Sequence, residues 1–139
     1  MPQDYILRLL QQLGAIVATI SGKRTAGDLA GAEQEIDEQC QRHVGLPLVV
    51  VRQSSPEGLD GLLAMGGAMQ LHRSLILAEL LRQDAELARS RGNPLSAVAS
   101  LRQADHLIER ALPSLVGEEA KAFRRAAQDI AVQLRDLGG

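Results

Sequence analysis

The sequence predicts an all-α fold, and three observations carry that prediction. Apolar residues make up 45% of the 139-residue chain, yet they are almost wholly Leu, Ala, Ile and Val, with one Tyr, one Phe and no Trp. Ala and Leu, with Arg, Gln and Glu, are the strongest helix formers. Apolar positions also recur at three- and four-residue spacing along most of the chain, which is the period of an amphipathic helix. Finally, Gly, Asn, Asp and Pro stand where helices need punctuation, most clearly at Gly92-Asn93-Pro94. Pro94 fixes its own φ, lacks an N–H and disfavours helix at Asn93, so a helix arriving there stops. Gly92 suits the position just past a helix end, Asn93 the N-cap of the next, and Pro94 its first residue. The expected architecture is five or six helices in antiparallel hairpins, as a partial solenoid or an irregular bundle, in one domain over residues 1–139. A chain of this length buries a core without disulfides.

From Asp4 to Ser21 the apolar positions Tyr5, Ile6, Leu9, Leu10, Leu13, Ile16, Val17 and Ile20 mark a first helix with a wide buried stripe. Gly14 within it costs about 1 kcal/mol of helix propensity against Ala, which suggests a close helix crossing. A second helix is expected from Gly27 or Asp28 to His43. Leu29, Ala32, Ile36, Cys40 and Val44 form its apolar side, and Glu33, Glu35, Asp37, Glu38 and Gln41 are read as mostly solvated. Asp28 is its N-cap; Gly45 and Pro47 end it. Leu48-Val49-Val50-Val51 is the one strand-like run. With no partner strand it is read as an extended linker or a short turn of helix. Ser55-Pro56 starts a short helix holding Leu59, Leu62, Leu63 and Met65, closed by Gly66-Gly67. A long helix from Ala68 to Arg91, dense in leucine, is the expected central element. Leu95, Val98, Leu101, Leu107, Ile108 and Leu112 stripe the next helix, which Pro113 and Gly117 end. A last helix from Glu118 to Leu137 buries Ala122, Phe123, Ala126, Ile130 and Leu134.

One phrase occurs twice. With residues 24–36 laid on residues 89–101, Arg24 meets Arg89, Gly27 meets Gly92, Asp28 meets Asn93, Ala32 meets Ala97 and Ile36 meets Leu101. The shared pattern, Gly-[Asp/Asn] followed by a small and then a large apolar residue, resembles the second half of a tetratricopeptide repeat. Asp84 stands where that repeat wants an apolar residue, Ala88 replaces its usual aromatic, and Pro94 takes its usual Tyr place. The opening Asp4-Tyr5-Ile6-Leu7-Arg8-Leu9-Leu10-Gln11-Gln12-Leu13, followed by the Gly-Asp helix, also resembles an uncharacterised family of short bacterial all-helical proteins. That resemblance implies a fold and a cytoplasmic location; no activity comes with it.

Several function classes find no support. Formal net charge is -2 with both signs interspersed, and aromatic platforms for base stacking are missing, so no nucleic-acid partner is expected. Lys121, Arg124 and Arg125 form too small a basic cluster to change that. No apolar run approaches the roughly 18 residues of a membrane span, and Met1-Pro2-Gln3-Asp4 lacks the positive start of a secretory signal. A cytoplasmic protein is therefore expected, and Cys40, the single cysteine, is consistent with it. Cys40, His43 and Asp37 share a helix face, but zinc wants three or four ligands and His72 and His106 lie elsewhere, so a buried thiol beside a helix-terminal His explains the pair. The glycines form neither a dinucleotide fingerprint nor a phosphate loop, and no nucleophile elbow occurs. No metal, cofactor or catalytic residue is expected.

What remains is an interaction or scaffolding module. In a tetratricopeptide-like hairpin the exposed face of the first helix lines a groove, which would place Glu79, Arg82, Gln83, Glu86 and Arg89 against an unidentified protein partner. The apolar stripe of the first helix further suggests a homodimer. The competing expectation is a small ligand-binding protein or enzyme with an inter-helix pocket using His72 or His106 beside a carboxylate.

Overall fold

The repeated phrase builds the same turn twice. In the computed structural model, which describes residues 2–64 and 70–138 with side chains from residue 8 onward, Gly27 and Gly92 both adopt positive φ, +86° and +70°. The amide of Gly92 donates to the Arg89 carbonyl at 3.0 Å and that of Asn93 to the Ala88 carbonyl at 2.8 Å. The amide of Gly27 donates likewise to Arg24 at 3.0 Å, and that of Asp28 to Lys23 at 2.9 Å. Each turn thus closes the outgoing carbonyls of one helix with a pair of crossed bonds. The following residue then caps the next helix: Asp28 Oδ1 accepts from the Gly31 amide at 2.9 Å, and Asn93 Oδ1 from Ser96 at 3.2 Å. A small residue four positions on, Ala32 or Ala97, is fully buried and lets the helices close.

Among the described residues seven α-helices follow in order: α1 (Pro2–Thr25), α2 (Leu29–Gln39), α3 (Leu48–Gln53), α4 (Pro56–Ala64), α5 (Gln70–Ser90), α6 (Pro94–Ala111) and α7 (Gly117–Asp136). A π-helical turn over Cys40–Val44 extends α2, and a 3₁₀ turn over Leu112–Ser114 extends α6. No strand occurs among the described residues. Helix α5 is the centre: it pairs most extensively with α6, while α1, α2 and α4 also lie against it. Leu75, Ile76, Leu77, Ala78, Leu80, Leu81, Ala85 and Leu87 of α5 are buried nearly all round the helix, which only a central element sustains. Buried residues of all seven helices join one hydrophobic core. No helix among the described residues is long and apolar enough to cross a membrane.

Several expectations need correction. Of the two readings open for the Leu48–Val51 run, extended linker or short turn of helix, the helix holds, and it adds one helix to the expected five or six among the described residues. Its β-branched residues oppose helix only weakly, whereas Leu48 and Val51 sit one turn apart in the core and Asp37 Oδ1 accepts from the Leu48 amide at 2.8 Å. Helix α1 runs on to Thr25, beyond the expected end at Ser21. Its Leu9, Leu13, Ile16 and Ile20 are buried in the common core of the chain. Gly14 marks no crossing, since a Cβ there would meet nothing within 4 Å. Leu95, assigned to the core stripe of α6, is 82% exposed, whereas Leu101, Leu107 and Ile108 of that stripe are buried as expected, together with Ala97 and Ala104. In α7, Phe123, Ala126 and Ile130 are buried as expected, but Ala122 is exposed and Ala120 is buried. Met65, Gly66-Gly67 and the expected helix start at Ala68 lie outside the described residues, as do the side chains of Tyr5 and Ile6.

Candidate functional site

A carboxylate in an apolar stripe must find a cation or lose its charge. Asp84 sits in the middle of α5 with 3% exposure, and Arg52 of α3 meets it side-on. Arg52 Nη2 donates to Oδ1 at 2.6 Å and Nε to Oδ2 at 3.0 Å, the two-pronged geometry that suits a guanidinium and a carboxylate. Ser100 of α6 donates a third bond to Oδ2 at 3.3 Å. The free prong of Arg52, Nη1, lies 2.7 Å from Glu33 Oε2 of α2, and Arg91 Nη1 lies 3.3 Å from the same oxygen. Asp84 and then Glu33 hold the Arg52 proton more firmly than usual, although burial opposes them. Gln103, buried on α6, completes the arrangement by donating to the Val51 and Ser54 carbonyls at 2.8 and 2.7 Å, so it caps the C-terminus of α3. Four helices and a turn are thereby tied to one carboxylate.

Beside this network lies a cleft of about 210 Å³, lined by Arg52, Asp84, Leu87, Ala88, Arg91, Asn93, Ser96, Ala99, Ser100 and Gln103. Asp84, Ala88 and Arg91 are spaced to share one side of α5. The five residues expected to meet a partner occupy a different strip of α5, and none of them lines this cleft. Gln83 is buried, and Glu79 accepts from Arg82 and Gln83, both at 3.4 Å; burial pushes the Glu79 carboxyl above its ordinary range against the pull of those two neighbours. Helix α7 reaches across the strip: Gln133 donates to Glu86 at 2.7 Å and Asp129 stands 3.8 Å from Arg82. Arg89, paired with Glu86 at 3.7 Å, is the most open of the five.

The acidic side of α2 is not simply solvated. Glu33 bridges two arginines, Asp37 caps α3, and Glu35 accepts from Lys23 at 3.0 Å and Gln39 at 2.8 Å. The Arg52 hydrogen bond, with help from Arg91, holds the Glu33 carboxyl below the usual glutamate value of 4.5. The stabilisation that follows is complete above 4.5 and is lost as pH falls through the lowered folded value. In thermal melts, wild type and Glu33→Gln should therefore differ at pH 6 and converge as pH falls below 4.5 and through the lowered folded value. A constant difference across that range would contradict the bridge.

The remaining candidates scatter. His106 Nε2 is 2.7 Å from Asp60 Oδ2 of α4, with Arg110 Nε 3.3 Å from the same oxygen. Asp60 and Arg110 border a second cleft of about 270 Å³ with Gln70, Leu71, Ser74, Leu107, Ala111 and Ser114. His72 lies on another part of α5, where burial, and after it repulsion from nearby His43, lowers its pKa. His43 meets Gln12 of α1 at 3.4 Å. Cys40 is fully buried, and desolvation pushes its thiol up to about 12. It should resist a thiol reagent in the native state and react once the chain unfolds; native labelling at the unfolded rate would contradict this burial. Among the described residues no group of three His, Cys, Asp or Glu side chains could hold a metal ion.

The network escaped sequence reading for a reason that names its own signal. Asp84 stands where the repeat pattern wants an apolar residue, and that departure is the signal. Its partner lies 32 residues earlier, and no helical spacing points to it. Arg73 was missed in the same way: it donates to the Val44 carbonyl at 2.6 Å and the Leu63 carbonyl at 3.2 Å, satisfying the open ends of the π turn and α4. No family model, curated protein or solved structure matches this chain.

Proposed function

We propose that the chain is a protein–protein interaction or scaffolding module acting in the cytoplasm, and that its partner docks at the cleft between α3, α5 and α6. One observation carries the reading: side chains of three helices, fixed by the buried Arg52–Asp84 pair, converge on an open cleft lined also by Asn93 and Ser96, with the exposed Leu95 adjacent to Ser96 in the chain. A surface held this firmly, with mixed polar and apolar edges, suits a protein segment. At about 210 Å³ the cleft is smaller than the roughly 300–1,000 Å³ of small-molecule pockets. The tetratricopeptide-like resemblance is consistent with such a role, with contact moved from the Glu79–Arg89 strip to the opposite side of α5.

Because Cys40 is buried, Ser96→Cys creates one accessible thiol. Carrying a photo-crosslinker, it should capture a discrete partner from native cytoplasm that the same probe at Glu118→Cys, on the exposed start of α7, does not. Identical capture at both positions would overturn the reading.

The His106–Asp60 contact beside the second cleft favours a ligand-binding alternative. It requires a compound that shifts the His106 imidazole resonance in the wild type and loses affinity in Asp60→Asn. A library producing no such shift removes the alternative.

A further inference from the structure

We propose that Arg52 and Arg91 together form a seat for a carboxylate side chain of an acidic protein partner, and that Glu33 occupies this seat in the unbound chain. The inference rests on the cleft being the partner-docking surface. Glu33 reaches over from α2 and spans both guanidiniums: Oε2 lies 2.7 Å from Arg52 Nη1 and 3.3 Å from Arg91 Nη1, and Oε1 accepts from Arg91 Nη2 at 3.4 Å. One carboxylate therefore already sets the gap between the two arginines. Both arginines line the cleft, whereas Glu33 does not; it closes the pair from outside.

The two arginines are not equivalent. Arg52 is committed to Asp84 through two short bonds, so it holds its position whether or not Glu33 is present. Arg91 has only the two longer contacts to Glu33, and its side chain is 37% exposed. A guanidinium carries five N–H donors, so Glu33 leaves Arg91 with unused ones at the cleft wall. Asp84, the one carboxylate lining the cleft, is neutralised by Arg52, and the positive end of the α6 dipole lies alongside. The open wall thus favours negative charge. Glu33 itself is one-third exposed on a long side chain, and exposed pairs of this kind are weak enough for an incoming carboxylate to exchange with them.

The choice of a protein carboxylate over a free anion follows from Leu95. It is 82% exposed and directly precedes Ser96, which lines the cleft. An apolar side chain beside a charged seat matches a segment that pairs an acidic residue with an apolar one; a free anion has no use for it.

The test is fluorescence anisotropy with a labelled peptide of alternating Glu and Leu, at low and moderate salt. Wild type should bind it, Glu33→Gln at least fivefold tighter, and Arg91→Gln at least tenfold weaker, with binding falling as salt rises. The first variant reads a gain, which partial unfolding cannot imitate. A peptide of alternating Gln and Leu should not bind. Glu33→Gln binding no tighter than wild type, or Arg91→Gln binding equally well, would overturn the seat. Competition by inorganic phosphate as effective as that by the Glu peptide would overturn the assignment to a protein partner. If Ser96→Cys captures its partner equally in both variants, the docking surface stands and the carboxylate seat falls. If the peptide behaves as expected while capture fails, the seat stands and the scaffolding role falls.

Discussion

Arg52→Ala should destabilise the fold by about 3 kcal/mol, which lowers the melting temperature by roughly 6–12 °C for a chain of this size. The mechanism is the Asp84 carboxylate, left 3% exposed with Ser100 as its remaining partner. Breaking a buried pair from one side costs about 3–5 kcal/mol, and the lower end applies because the Arg52 side chain is itself 38% exposed. The control removes both charges. Arg52→Met with Asp84→Leu should recover most of the loss, since apolar residues of similar volume commonly replace a buried pair without penalty. Urea unfolding of the two variants decides the matter. A single mutant as stable as wild type, or a double mutant no better than the single, would show that the pair does not hold α3 to α5.

Leu80→Ala should be as damaging or worse, at about 2–5 kcal/mol. Leu80 lies on the central helix with 1% exposure, so truncation removes transfer free energy and leaves a cavity between neighbours that cannot all close in. Leu95→Ala is the matched contrast. The same chemical change at an 82% exposed position should move stability by less than about 0.5 kcal/mol. Equal effects at the two leucines would mean that α5 is not the core element it is here.

These two leucines also show what the sequence can and cannot convey. Three- and four-residue periodicity separates helix from strand, and it did so for six of the seven helices. It does not reveal which face of a helix is inward when small residues make the interface, as Ala97 and Ala104 do in α6 while Leu95 points out. The α5–α6 turn was legible because all its determinants sit in consecutive residues: Gly92 for the positive φ, Asn93 for the cap, Pro94 for the first turn. Helix α3 was not, because its cap comes from Asp37, eleven residues upstream, and its stability from burial that no local pattern encodes. The cleft shares that limitation. Its floor residue, Asp84, declared itself by breaking the apolar stripe, but Arg52, Ser100 and Gln103 become its neighbours only through tertiary packing. The strip from Glu79 to Arg89 was legible as charged, yet charge alone did not show that α7 reaches over it.

The bonds that hold α3 have a kinetic consequence. Apart from its cap on Asp37, they all span long stretches of chain, from residue 52 to 84, 52 to 33, 103 to 51 and 103 to 54. Contacts so distant in sequence form only after the segments they join have been brought together, so α3 docks late, onto an α5–α6 hairpin already made. The same helix is then the natural first unit to open from the native state. Since Arg52 is one wall of the cleft, each such opening dissolves the cleft and each redocking rebuilds it. Amide exchange in α3 would therefore report how often the surface exists at all, and a partner that binds there would slow that exchange without touching the rest of the core.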